Sequence, residues 1–228
     1  MITNYDEKDE PMNADMPPEL TSKQRILQCA SQEFLTHGWK NSTIRGIAKG
    51  AGVTTGSVYF HFKNKAALFE ALVEDVYKTL LRHHHDMYET FFAMPLDKDA
   101  MRAFRFEGRK RTVDLIYQNY KAVKLLVCCS EGTDYADFFN LMMEDTYKAD
   151  VRAFTLAKNH GGALNNMLDI RLYSAIDKSF WHCLFETVRL DIPYEQALEY
   201  VAVLDDFYET GWQRILGNYE SCGTEGAK

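Results

Sequence analysis

The stretch that most constrains the fold is residues 43–65, which reads TIRGIAKGAGVTTGSVYFHFKNK. Ile47 and Ala48 lie on a first short helix, and Ala48 is small enough to let a second helix cross closely. Gly52 stands where a tight turn between helices often needs a left-handed backbone, which glycine adopts without steric cost. Val58 would then pack back against the first helix. The stretch therefore predicts a helix-turn-helix motif.

The second helix of this motif is predicted to present a small, polar outer surface. Thr54 or Thr55 can cap it with a side-chain oxygen. A surface of this kind suits the major groove of DNA. The residues that we expect to face base edges are Thr54, Thr55, Gly56 and Ser57, together with Arg45 from the preceding helix. We expect Phe60 and Phe62 to belong to the core.

Charge is distributed unevenly along the chain, whose net charge is −7. Residues 1–20 carry −5 and are rich in proline, which predicts a disordered acidic tail. Residues 21–65 carry seven basic side chains against Glu33 alone, a net charge of +6, and the remainder carries −8. The positive charge is thus concentrated on the segment that contains the predicted helix-turn-helix, as contact with DNA phosphates requires.

The rest of the sequence shows helical periodicity and no period-two alternation. We therefore expect an all-α protein of about nine helices, with a three-helix DNA-binding domain at 21–66. A helical bundle is predicted at 67–217 and a flexible tail at 218–228. The last two helices, at about 166–190 and 194–216, are long and apolar along one face. They could close the core of a monomer or meet their copies in a dimer.

Three blocks of residues resemble the amino-terminal domain of the tetracycline-repressor (TetR) family of bacterial regulators. Ala30, Phe34, Gly38 and Trp39 follow the order A-x-x-x-F-x-x-x-G-aromatic at the end of the first helix. They are followed by T-I-x-x-I-A-x-x-A-G-V and by Y-x-H-F-K-N-K. The compound pattern is far more specific than a helix-turn-helix alone. The carboxy-terminal part is similar to the family only in its all-helical style.

The resemblance implies that Tyr59, His61 and Lys65 contact DNA phosphates, and we add Thr43 to this set. Lys65 stands at the amino end of a helix, where free N–H groups and the helix dipole favour an anion. Tyr59 offers a hydroxyl group on a rigid ring. The alternative interpretation is that Tyr59 and His61 only pack the domain.

The resemblance also implies a homodimer formed through the last two helices, and a cavity in the bundle that binds a small molecule. Binding of that effector would shift the two DNA-binding domains apart and lower the affinity for DNA. Glu131 and Asp134 are further polar candidates for contacts with the effector. The principal candidate residues are Arg105, Arg109, Tyr120, Phe138, Met142, Phe180, Trp181 and His182.

Other clusters of reactive residues favour ordinary structural roles. His83, His84 and His85 are consecutive and point about 100° apart on a helix, so they cannot share one metal ion. Cys128 and Cys129 end an apolar run, which favours buried, inert thiols. We therefore expect no metal, no cofactor and no enzymatic activity.

The sequence thus predicts a dimeric, DNA-binding transcription regulator, a repressor that binds a palindromic operator and is released by a small molecule. An activator or a regulator controlled by a partner protein is an alternative. A helical small-molecule binding protein with a degenerate DNA-binding domain is another. The chain has no apolar run long enough to span a membrane, and its five cysteines form no regular pattern, so we expect a soluble, cytoplasmic protein.

Overall fold

The computed structural model describes residues 20–95, 97–159 and 169–216, which form nine α-helices and no β-strand. The prediction of an all-α fold is confirmed. The predicted tails, apart from Leu20, and the predicted start of the eighth helix at 166 lie outside the described residues. The helices are α1 (Ser22–Asn41), α2 (Ile44–Gly50), α3 (Thr55–His61), α4 (Lys65–Ala93), α5 (Lys98–Gln118), α6 (Tyr120–Cys129), α7 (Phe138–Asn159), α8 (Ile170–Arg189) and α9 (Tyr194–Leu216).

The first helix begins with a reciprocal cap. The Thr21 hydroxyl accepts the Gln24 backbone N–H at 3.3 Å, and the Gln24 side chain accepts the Thr21 backbone N–H at 2.9 Å. The backbone of Gly38 is non-helical (φ 71°), so it interrupts this helix with a kink, and a further turn leads to Asn41. The kink brings the Trp39 ring against Phe34 and Phe69, with ring centroids 5.7 and 5.6 Å apart.

Helix α4 joins the amino-terminal helices to the bundle. Its 29 residues begin at Lys65, beside α3, and its buried residues Leu68, Val73 and Leu80 follow helical spacing into the bundle. Helix α6 packs against α1, α4 and α8, and the turn after it places Gly132 against Trp39. The first three helices therefore rest on the bundle through α4, α6 and this turn.

None of the helices in the described ranges is both long and apolar enough to cross a membrane.

Candidate nucleic-acid interface

The α2–α3 unit has the geometry of a helix-turn-helix. Gly52 adopts φ 64°, in the left-handed region where a side chain would be strained. The Val53 N–H donates to the Ala48 carbonyl at 3.0 Å, which closes the turn directly after α2. Val58 on α3 and Ile47 on α2 are buried at this crossing. The packing therefore fixes which face of α3 points away from the protein.

Threonines cap both helices of the unit. The Thr43 hydroxyl accepts the Gly46 N–H at 3.0 Å, and the Thr54 hydroxyl accepts the Ser57 N–H at 3.1 Å. Glu33 accepts the Thr43 N–H at 3.1 Å. Because a capping hydroxyl acts as an acceptor, Thr43 and Thr54 each keep an O–H that can donate to a phosphate or a base.

The outward face of α3 is broad and exposed. Thr54, Thr55 and Gly56 are exposed, Ser57 is half-buried and 55% of the Tyr59 surface is exposed. Thr54, Thr55, Gly56 and Tyr59 are therefore accessible to a partner, and Ser57 is partly accessible.

Phe60 was expected in the core, and this prediction was wrong, because 85% of its surface is exposed. Its neighbours Val58 and Phe62 are buried. These two lie four residues apart and hence on one side of the helix, while Phe60 lies between them and projects to the other side. The helical period alone would have predicted that Phe60 is exposed, but its aromatic side chain was taken as an indication of burial.

Lys65 has close protein partners at the junction of α1 and α4. Its ammonium donates to the backbone carbonyls of Trp39 at 2.6 Å and Ser42 at 3.0 Å, and Nζ lies 4.4 Å from the centre of the Trp39 ring. Burial lowers the pKa of Lys65. Since an ammonium has three N–H donors, one remains for a further acceptor.

His61 occupies the end of α3 and is half-buried. Its Nε2 lies 3.4 Å from the Ser22 hydroxyl at the start of α1. This contact links the end of α3 to the start of α1, and part of the imidazole remains exposed to solvent.

Basic side chains surround this surface. Lys23, Arg45, Lys49 and Lys63 are exposed. Arg25 instead donates to the carbonyls of Leu20 and Ala51 and serves the packing of the domain. The four exposed bases give this end of the molecule a positive potential that favours a polyanion.

A cavity of about 640 Å³ lies in the bundle between α4, α5, α7, α8 and α9. Of the eight candidate effector-binding residues, Arg105, Arg109 and Trp181 line it. The other five do not line it. Phe138, Met142 and Phe180 are buried in the core. The Tyr120 hydroxyl donates a hydrogen bond to Asp191, and His182 is exposed beside Phe139. Glu131 is exposed and pairs with Lys40, and Asp134 is exposed in the turn after α6.

Residues that the sequence did not single out complete the cavity. Tyr88, Asp150 and Asp177 line it together with aromatic side chains of α4, α8 and α9. Isolated aspartates on helices carry no sequence signal for a cavity, because only the packing of α7 against α8 brings these two together.

The three consecutive histidines each meet a different partner. His83 bonds to Thr112 at 3.0 Å and His84 to Thr146 at 3.0 Å, while His85 lies 3.4 Å from Asp145. His84 is only 2% exposed, and burial lowers its pKa to about 4. Within the described ranges no group of His, Cys, Asp and Glu has the arrangement of a metal site.

The adjacent cysteines differ in exposure. Cys129 is buried as expected, but Cys128 is exposed, because it lies off the apolar face of α6. Although the Cys128 residue as a whole is exposed, its sulfur atom is partly shielded from water, and this loss of solvation raises the pKa of both thiols. A raised thiol pKa lowers the fraction of reactive thiolate at neutral pH.

Comparison with known proteins identifies the domain that contains these features. The sequence profile described as bacterial regulatory proteins, tetR family, matches residues 26–72. The HTH-type transcriptional repressor KstR2 of Mycolicibacterium smegmatis is 31% identical over 112 residues, which are 47% of this chain and 54% of that protein. The HTH-type transcriptional regulator TtgR of Pseudomonas putida is 38% identical over 64 residues, which are 28% of this chain and 29% of that protein. The chain therefore spans about half or less of the curated relatives that it matches.

The likeness in fold extends over most of the chain. The crystal structure of the transcriptional regulator FadR from Bacillus subtilis in complex with stearoyl-CoA matches with a TM-score of 0.51 and 16% identity, over 83% of this chain and 98% of that one. At this identity the match shows a shared fold. The sequence match thus identifies residues 26–72 as the amino-terminal domain of the tetR family of bacterial regulatory proteins, and the chain as a whole shares the all-helical fold of a transcriptional regulator.

Proposed function

We propose that the protein is a dimeric transcription regulator, a repressor that binds a palindromic DNA site and is released by a small molecule. The observation that carries this proposal is the exposed face of α3, held outward by the buried Val58 and surrounded by exposed basic side chains. In this proposal residues 21–66 form the DNA-binding domain, and residues 67–217 form the ligand-binding and dimerisation domain.

Two kinds of DNA contact follow from the exposed surface. Base edges are read by Thr54, Thr55, Gly56 and Ser57, with Arg45 from α2. Phosphates are held by Thr43, Tyr59, His61 and Lys65. We add Phe60 to the base-reading group, because an exposed apolar ring at this position can contact the methyl group of thymine.

Dimerisation is proposed through α8 and α9. Tyr200, Val203 and Phe207 form an exposed apolar stripe on α9, and Val203 and Phe207 are each 69% exposed. Leu172 on α8 and Leu190 just after it are 52% and 67% exposed. A second copy that covers these residues removes them from water and pairs two α3 helices for two half-sites.

Release by an effector is supported by the course of α4. This helix starts at Lys65, whose ammonium holds the end of α1, and its far end contributes Met87, Tyr88 and Phe91 to the cavity. A ligand in the cavity thus contacts the helix that positions the DNA-binding domain. To lower the affinity for DNA a hundredfold, the ligand must bind the conformation that does not bind DNA more favourably, by ~2.7 kcal/mol.

Replacing Lys65 with alanine tests the proposed phosphate contact. The change should weaken binding to every DNA sequence and reduce the slope of log affinity against log salt by about one. Because the ammonium also bonds to the Trp39 and Ser42 carbonyls, we expect lower thermal stability as well, so binding is measured below the variant's unfolding transition. The measurement is a fluorescence-anisotropy titration on a labelled duplex from upstream of the protein's own gene, at several salt concentrations.

Two variants serve as controls for the salt slope. Lys40→Ala removes the same charge from an exposed side chain that pairs with Glu131 on the bundle, and it should leave the slope unchanged. Tyr59→Phe removes an uncharged hydroxyl group, and it should weaken binding about two- to tenfold without changing the slope. An unchanged slope for Lys65→Ala would show that this side chain does not contact a DNA phosphate.

A further inference from the structure

Two carboxyl groups lie side by side in the wall of the cavity. Asp150 on α7 is 3% exposed, and its Oδ2 has no hydrogen-bond partner among the described residues. Asp177 on α8 accepts the Tyr88 hydroxyl at 3.3 Å. Burial, and next the charge of Asp177, raise the pKa of Asp150 to about 7. A buried carboxyl oxygen without a partner is costly to maintain, and it is satisfied when a donor occupies the adjacent space.

Two of the three arginines in the cavity wall, Arg105 and Arg109, already have acidic partners, and the third, Arg102, is exposed to solvent. Arg109 forms an ion pair with Asp205, and its guanidinium lies 3.9 Å from the centre of the Phe180 ring. Arg105 donates to Glu209 at 2.8 Å. By contrast, neither Asp150 nor Asp177 forms an ion pair with any residue that the structure describes. The acid pair therefore remains available to a positively charged ligand.

The remaining wall is aromatic. Tyr88, Phe91 and Trp181 line the cavity, and Tyr173 and Trp212 contribute rings whose centroids lie 4.5 Å apart. Aromatic faces attract cations, and the attraction strengthens where water is excluded. The aromatic side chains and the acid pair thus favour the same kind of ligand.

We propose that the effector is a lipophilic aromatic cation, whose positively charged group lies against Asp150 and Asp177 while its ring system packs between the aromatic side chains. This inference rests on the proposed function, because it names the ligand class of the same cavity. A cationic N–H group donates to the unpartnered Asp150 oxygen and balances the charge of the pair. An anionic ligand that reached Arg105 or Arg109 would instead have to displace Glu209 or Asp205.

The test compares two dyes that have almost the same shape. Nile blue carries a cationic amino group where Nile red carries a neutral carbonyl oxygen. Each is titrated into the full-length protein at pH 8 without DNA, and the bound fraction is measured by equilibrium dialysis. We expect Nile blue to bind at least about tenfold more tightly than Nile red.

Three variants locate the binding and assign its charge dependence. Asp150→Asn should lose most of the preference for Nile blue and keep its affinity for Nile red. Glu144→Gln removes an exposed charge from the same helix and should change neither affinity. Ala153→Trp fills the cavity from its wall and should weaken both dyes.

Each outcome bears on the inference separately from DNA binding. Equal binding of the two dyes, or a preference that survives Asp150→Asn, would overturn the cation proposal. If the two dyes bind equally and Ala153→Trp abolishes the binding of both, the cavity binds ligands of another class, and the proposed release of DNA by an effector is not contradicted. Failure of both dyes to bind would also overturn the inference, and the DNA titrations described above would remain a separate test of the proposed function.

Discussion

Replacing Val203 with glutamate should convert the protein to a monomer and weaken binding to a palindromic DNA site by more than about 100-fold. Val203 is 69% exposed, between Tyr200 and Phe207 on the outer face of α9. In the proposed dimer this face meets its copy, so the change buries a carboxylate without a partner at two symmetric positions. Loss of the second DNA-binding domain then removes the gain from simultaneous contact with two half-sites.

The mass in solution is measured by sedimentation velocity, and the affinity by titration of a labelled duplex. Val151→Glu is a matched control, because it makes the same change at a 40% exposed valine on α7. The control variant should stay dimeric and bind DNA as the unaltered protein does. A Val203→Glu protein that sediments as a dimer would place the interface elsewhere.

Replacing Asp150 with asparagine should stabilise the ligand-free protein, and the gain should grow with pH. Because the folded-state pKa of Asp150 is raised to about 7, the stability that its protonated form provides is lost as pH rises toward that value. Asparagine keeps the shape and avoids the buried charge. The expected gain in the free energy of unfolding is on the order of 2–4 kcal/mol at pH 8 and smaller at pH 5.

The comparison uses the difference between the two proteins at each pH, measured by urea denaturation. His84 contributes in the opposite direction, since its lowered pKa costs stability as pH falls, and taking the difference cancels this contribution. Glu144→Gln should have little effect at either pH. A gain that does not depend on pH, or a loss of stability at pH 8, would show that Asp150 is not the buried acid that the geometry indicates.

The amino-terminal domain could be predicted closely because its packing is local. Gly52 and Val58 lie within a short stretch, and their spacing alone defines the turn and the buried face of α3. The error at Phe60 came from weighing residue type above helical phase. The ammonium of Lys65, which reaches back to Trp39 and Ser42, could not be predicted, because this contact depends on the angle between α1 and α4.

The bundle was predictable in its helices but not in its cavity. Helical spacing located α9 (Tyr194–Leu216) correctly, since this signal is again local, but α8 was predicted to begin before Asp169, which is in fact its N-cap. The cavity depends on how five helices pack, so aromatic residues such as Phe138 and Phe180 could not be separated into core and wall. The acid pair of Asp150 and Asp177 arises from the same long-range packing.

The central claim is that two copies of this chain bind one DNA site through α3. The most direct test is sedimentation of the full-length protein with a duplex selected from random sequence, followed by titration of that duplex across salt. The account predicts two or a multiple of two protomers per site, with affinity that falls by roughly 10³-fold or more between 50 and 200 mM salt. Weak binding that is equal for all sequences, or tight binding by one protomer without salt dependence, would contradict it.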